Sequence, residues 1–268
     1  MSKKSTGKKR RHKKRKPIKV SFSIIIVLLT VLAVLVALPY MKNGSAKTKG
    51  AAIPVGDYLY GIDISHYQHE IQWDSLMILA DGAGRTILSK VHAKELKPVS
   101  FVFIKATEGT NMKDRRFQDH WNNAAVTDIR RGAYHFFRSS KSGKAQAENF
   151  IRTVGPLRYK DLPPVLDIET MHSGCSSNTL NSRALEWLRA IERHYGRKPI
   201  VYSSSAFIEQ HLCNEIRDNY PIWVAHYEVD RPQWDKWSFW QFTDKALVYG
   251  AEGHVDLNVY RKADSLIK

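Results

Sequence analysis

The sequence predicts an α/β fold: an irregular (β/α) TIM-like barrel preceded by a single transmembrane helix. Three observations carry this. Short apolar, β-rich runs recur at about 60–65, 101–106, 132–137, 163–168, 199–203, 221–226, 238–243 and 255–260. Stretches suited to helices lie between several of them, and such alternation implies a largely parallel sheet that eight strands can close. Ahead of the runs, Val20 to Met41 is 22 residues without a charge, mostly Ile, Val and Leu. That is long enough to cross a bilayer core.

Charge divides the chain at its N-terminal side. Of 42 Lys and Arg, 14 fall within the first 50 residues, which hold no Asp or Glu. The remaining 28 face 26 acidic residues, so the formal net charge of +16 belongs to the tail. Eleven of the basic residues lie between Lys3 and Lys19. A block of this kind can bind nucleic acid, but beside an apolar span it is explained as a positive-inside signal. No nucleic-acid partner is expected. The span exceeds the roughly 7–15 residues of a signal-peptide core, and its exit lacks a small-residue cleavage pattern. The expected organisation is a basic cytoplasmic tail (1–19), a transmembrane signal anchor (20–41), a flexible tether (42–58) and a barrel (59–268) on the periplasmic or cell-wall side.

Within the barrel region, Phe117 to Ile129, Ala145 to Val154 and Leu180 to Tyr195 suit helices. In the third, Leu180, Ala184, Leu188, Ile191 and Tyr195 recur at helical spacing. Only Thr243 to Gly253 separates the last two strand runs, too little for a helix, so the barrel should be irregular there.

Carboxylates mark the ends of four runs, at Asp63, Glu108, Asp167 with Glu169, and Asp256. Asp and Glu are depleted in strands and costly to bury, and barrel enzymes gather their chemistry at the C-terminal strand ends. The two-residue spacing of Asp167 and Glu169 points both to one face, with Cα atoms ~6.6 Å apart. Crowding should raise one pKa and leave an acid beside an anion, which is the chemistry of glycoside hydrolysis. Taken alone, the pair reads equally well as a partner for Arg or Lys. Tyr134, Tyr202, Tyr227 and Gln241 also fall at strand ends, where rings and polar tips suit a sugar face.

Further motifs follow in order. They are Gly61-Ile-Asp63-Ile-Ser65-His-Tyr-Gln68, Phe101 to Gly109, Asp114 with Phe117, Gly132-Ala-Tyr-His-Phe-Phe137, Pro163 to Glu169, Pro221 to Ala225, Trp240-Gln-Phe242 and Val255-Asp-Leu-Asn258. Together these resemble the glycoside hydrolase family 25 lysozymes, the Chalaropsis-type N-acetylmuramidases, over about residues 59 to 262. The resemblance implies Glu169 as general acid, with Asp63, Asp167 and Asp256 as the other cleft carboxylates. It implies a peptidoglycan muramidase cutting the β-1,4 bond between N-acetylmuramic acid and N-acetylglucosamine; a monomeric catalytic domain without cofactor is expected, and no metal-ligand constellation is visible in the sequence. The Asp-x-Glu spacing suggests retention by substrate-assisted catalysis. A catalytically silent wall-binding scaffold and a chitinase-like glycosidase are the alternatives. Lys105 is expected to pair with a cleft carboxylate, and Glu108 and Asp114 to brace loops.

One stretch departs from the family pattern. Where the resemblance expects a short helix leading into the second strand, residues 77–96 form an insertion, read as a surface excursion of low entropic cost. Cys175 and Cys213 leave a disulfide open, since sequence does not fix their separation.

Overall fold

Strand β1 (Tyr58–Ile64) opens a barrel and is followed by β2 (Met77–Ala80), β3 (Thr86–Ile87), β4 (Glu95–Glu108) and β5 (Met112–Lys113). Next come α1 (Phe117–Ala124), β6 (Arg130–Phe136), α2 (Gly143–Val154), β7 (Val165–Asp167), α3 (Ser177–Tyr195) and β8 (Ile200–Ser204). The chain closes with α4 (Ser205–His211), α5 (Asn214–Asn219), β9 (Ile222–Ala225), β10 (Phe239–Ala246) and β11 (Val255–Arg261). This computed structural model describes residues 50–264 and 266, so the expected tail, span and first part of the tether lie outside the described residues. Among the described residues no helix is long and apolar enough to cross a membrane.

Eight strands close the barrel in the order β1-β4-β6-β7-β8-β9-β10-β11, with β11 returning to β1. Neighbours from β1 through β10 run parallel. β11 is antiparallel to both β10 and β1. The expected irregularity therefore takes the form of a reversed strand. Residues 247–254 are too few for a crossover, so the chain turns back on itself. Asp256 is consequently near the start of β11 rather than the end of a run, and reaches the shared rim because the strand points the other way.

Local chemistry sets the helix ends. Ser142 and Ser176 accept hydrogen bonds from the Ala145 and Thr179 amides, so α2 and α3 begin at Gly143 and Ser177, less than a turn earlier than the apolar spacing predicts. α1 stops at Ala124, short of the expected Ile129. There Thr127 bonds the Ala124 carbonyl through both its amide, at 3.2 Å, and its hydroxyl, at 2.9 Å. α3 buries Leu180, Ala184, Leu188 and Ile191 as the helical spacing predicts; Trp187 joins them and Tyr195 is half-buried.

Strand alternation sorts the barrel interior into layers. Its lower layers are apolar, built from Phe101, Phe103, Val165, Ile200, Trp223 and Phe239 among others. One step further along the same inward rows come Asp63, Lys105, Tyr134, Asp167, Tyr202 and Gln241, which line a cavity at the top. Rings as large as Phe101 and Phe103 fit because β1 and β6 offer glycines opposite them. A Cβ on Gly61 would lie 2.4 Å from the Phe101 ring, and one on Gly132 2.5 Å from the Phe103 ring.

The insertion is a folded ribbon. β2 pairs antiparallel with the first residues of β4, from Met77 opposite Pro98 to Ala80 opposite Glu95, and β3 pairs with β2. This stretches β4 beyond the predicted 101–106 and buries Ile78, Leu79, Ala80 and Thr86. No α-helix replaces it; only a single 3-10 turn at Trp73–Ser75 precedes β2. Residues 50–53, within the stretch expected as tether, bond to it. The Thr86 amide donates to the Ala51 carbonyl at 2.9 Å and the Ile53 amide to the Gly84 carbonyl at 2.9 Å. Cys175 and Cys213 are both free thiols.

Candidate active site

The four carboxylates singled out by the sequence line a single cavity of about 230 Å³ over the top of the barrel. Each arrives on an inward row of β1, β7 or β11, or just past its end, so strand register fixes their mutual placement. Asp63 and Asp256 are direct cross-strand partners in the antiparallel pair of β1 and β11. Asp167 ends β7, and Glu169 follows two residues later with the same parity.

Direct cross-strand placement of two acids is unfavourable when both are charged. Burial pushes the Asp256 carboxyl up to about 9, helped by the Asp63 charge and a hydrogen bond between the two carboxyls. Burial raises Asp63 as well, against the opposing effect of donors from Asn258 and Gln241. Asn258 Nδ2 and Gln241 Nε2 each donate to Asp63 Oδ2 at 2.8 Å. The amide orientations are set from behind. Trp223 Nε1 donates to Asn258 Oδ1 at 2.8 Å, and the Tyr202 and Tyr227 hydroxyls donate to Gln241 Oε1 at 2.7 and 2.5 Å. Two donors of this network end on Asp63 and the other three orient them, which favours Asp63 as the anion of its pair and Asp256 as the acid.

The second pair divides differently from the simplest expectation. Asp167 is buried and is held well above the carboxylate range, first by burial and then by the charge and hydrogen bond of Glu169. Glu169 is exposed at the cleft. The residue that rises is thus Asp167, while Glu169 is the member open to a ligand. No protein N–H or O–H reaches the buried Oδ1 of Asp167 among the described residues.

The expected sugar-binding residues are brought together, in two roles. Tyr134 lines the cavity, and Tyr227 is 38% exposed beside it. Tyr202 and Gln241 also line the cavity, but both are buried and committed to the Asp63 network. Lys105 does not pair with a cleft carboxylate. A register shift between Lys105 and Thr107 turns the chain so that its ammonium meets Glu108 at 2.8 Å. Glu108 is also bonded by Arg138, and Asp114 braces the His66 amide and ring at 3.0 and 2.8 Å. Sequence reasoning missed the roles of Asn258 and Trp223. Asn258 was findable, since it lies two residues from Asp256 on the same strand and shares its face. Among the described residues, no group of three His, Cys, Asp or Glu is arranged to hold a metal ion.

The cavity is the middle of a groove. Glu169 and Tyr202 are shared with an arm of about 390 Å³ lined by Ser204, Ser205, Ala225 and Tyr227. Lys105 is shared with a second arm of about 260 Å³ on the opposite side. A groove crossing a carboxylate-lined centre suits a linear polymer cut internally.

Comparison with known proteins agrees with this geometry. Residues 62–251 match glycosyl hydrolases family 25. The YegX protein of Escherichia coli K12 is 36% identical over 216 residues, covering 80% of this chain and 74% of that protein. Lysozyme M1 of Streptomyces globisporus is 35% identical, covering 75% of this chain and 67% of that enzyme. The crystal structure of a bacterial lysozyme from Streptomyces coelicolor superposes with a TM-score of 0.64 at 32% identity, over 75% of this chain and 91% of that one.

Proposed function

The chain belongs to glycosyl hydrolases family 25, and from that premise we propose that it is a membrane-anchored peptidoglycan muramidase. It hydrolyses the β-1,4 bond between N-acetylmuramic acid and N-acetylglucosamine. The observation that carries this reading is the gathering of four carboxyls in one groove, Asp63 opposite Asp256 and Asp167 two residues before Glu169.

The groove holds the glycan with the scissile bond beside Glu169, the exposed member of its pair. Asp167 and Glu169 are hydrogen-bonded, so the proton resting on the buried acid passes to Glu169, which protonates the leaving oxygen. Asp167, now an anion, orients the 2-acetamido group, whose carbonyl oxygen attacks the anomeric carbon. Water then opens the cyclic intermediate with Glu169 as base, and the configuration is retained. Asp63, kept anionic by Asn258 and Gln241, stabilises the positive charge that develops on the sugar ring. Tyr134 and Tyr227 pack against the sugars.

The anchor rests on the uncharged run Val20–Met41 behind a basic block. Incubating the full chain in detergent with peptidoglycan and identifying the new reducing sugar tests the activity. N-acetylmuramic acid is expected; N-acetylglucosamine, or no product, overturns it. Membrane fractionation tests the anchor. The protein should stay with membranes, and a soluble mature form beginning after residue 41 overturns it.

A further inference from the structure

The two arms of the groove differ in charge, and the difference comes from a hairpin that carries none of the catalytic carboxylates. One arm carries no Lys or Arg; Glu169 and His226 line it with serines, tyrosines and Gln233. The other is lined by His66, Lys105, Glu108, Lys113, Asp114 and Arg115, with Met112 at its edge. Its acids are already engaged. Glu108 is bonded by Lys105 and Arg138, and Asp114 by His66 and the Arg116 amide. Lys113 and Arg115 are exposed and have no acidic partner among the described residues.

The backbone that carries these two cations is tied down. β5 folds back on the end of β4, pairing Lys113 with Thr107 and Met112 with Glu108. The buried Asn149 amide ties the turn by donating to the Gly109 and Met112 carbonyls, both at 3.1 Å. The Asp114 amide donates to the Ala106 carbonyl at 2.9 Å. An exposed turn with little apolar burial is thus fixed by hydrogen bonds on both sides. Ordering Lys and Arg side chains is entropically costly, but the backbone beneath them is already in place.

We propose that Lys113 and Arg115 form an anion-binding subsite that takes carboxylates of the peptide stem on a muramyl residue, and so selects peptide-bearing glycan. The proposal rests on the muramidase reading. An unsubstituted muramyl unit carries its lactyl carboxylate close to the ring, whereas in a stem-bearing unit that carboxyl is taken up in the amide bond and the free carboxylates lie further out along the peptide, where an arm beside the catalytic cavity reaches them. Arg offers a planar fork for a carboxylate and Lys a mobile point charge. The other arm has no Lys or Arg, so the charge difference also fixes the direction in which the strand lies.

The test compares kcat/KM of the full chain on two substrates, both stripped of phosphate polymers. One is peptide-bearing peptidoglycan; the other is glycan freed of peptide by an amidase. The wild type should favour the first by about tenfold, the scale of one charge-assisted hydrogen bond. In the Lys113→Gln, Arg115→Gln double variant the two rates should converge, while Lys113→Arg should keep the preference. An unchanged ratio in the double variant, or equal loss on both substrates, overturns the subsite. A wild-type preference that appears only with phosphate polymers left in place assigns the arm to phosphate and overturns the peptide assignment. Failure of the wild type to cut either substrate would instead remove the muramidase reading itself.

Discussion

Trp223 Nε1 donates to Asn258 Oδ1 at 2.8 Å, and this single contact decides which way the Asn258 amide faces. An indole N–H only donates. Oδ1 must therefore be the atom it meets, and Nδ2 is left facing Asp63 Oδ2 at 2.8 Å. A tryptophan stacked on Phe103 inside the barrel thereby orients a donor that favours the ionised form of Asp63 at the rim.

Substituting Asn258→Asp preserves the Trp223 contact and replaces the donor to Asp63 with an oxygen. Loss of a hydrogen bond to a charged group is worth ~1.5–3 kcal/mol, so kcat should fall by about 10- to 100-fold. Steady-state kinetics check this, with near-native unfolding temperature as the control for folding. Unchanged kcat would mean that the Asp63 charge has no part in the rate.

Asp256 makes stability depend on pH in a stated direction. Its folded pKa is raised, from 3.8 to about 9. The stabilisation is therefore complete below the ordinary value and is lost as pH rises toward and through about 9. Asp63 and Asp167 are raised too, so the difference between proteins isolates the effect. Asp256→Asn should match the wild type near pH 4 and melt several degrees higher near pH 9, at ~2–4 °C per kcal/mol for a domain of this size. Equal melting temperatures at the alkaline end would contradict a protonated Asp256.

At the opposite end of the barrel, Arg131 donates to Asp161 through Nε at 2.8 Å and a terminal nitrogen at 3.2 Å, with both side chains 5% exposed. The guanidinium also lies 3.9 Å over the Trp121 ring. Asp161→Ala would leave a buried, uncompensated charge and should cost ~3–5 kcal/mol in denaturant unfolding. Arg131→Met combined with Asp161→Leu should recover most of it. A single-variant loss below ~1 kcal/mol would show that water relieves the charge.

How far the sequence is legible depends on the range of the interaction that decides each feature. Parity along a strand is local, so the sharing of a face by Asp167 and Glu169 could be read directly. An irregularity before β11 could be read from the shortness of its connection, but the reversal of the strand and its consequence for Asp256 could not, because they depend on pairing with β1 almost 200 residues away. Tyr202 and Gln241 were legible as rim residues but not as supports of Asp63, which requires knowing that a side chain on β8 meets one on β10. The ribbon at 77–96 was invisible as structure. Its pairing with the first residues of β4 has no short-range signature beyond a few apolar side chains.

The last prediction concerns Glu169 and the stereochemical course. Glu169 is exposed and two residues beyond Asp167, so Glu169→Gln removes a proton donor without opening a cavity. Acid–base assistance is worth ~10²–10⁴ in rate, and kcat should fall by that order with an unchanged melting temperature. The same geometry bears on the intermediate. A covalent route needs a nucleophile and an acid on opposite sides of the bond, ~5–5.5 Å apart. Asp167 and Glu169 instead lie two residues apart at one strand end and are hydrogen-bonded to each other, and Asp63 is held by two donors that reduce its nucleophilicity. With the substrate's acetamido oxygen as nucleophile, the first product should retain its configuration while no sugar ester forms on the protein. NMR of the nascent anomer and mass spectrometry of the quenched enzyme decide between the routes. An inverted first product, or a sugar bound to Asp63 or Asp167, would rule out the acetamido oxygen and return the role to a protein carboxylate or to water.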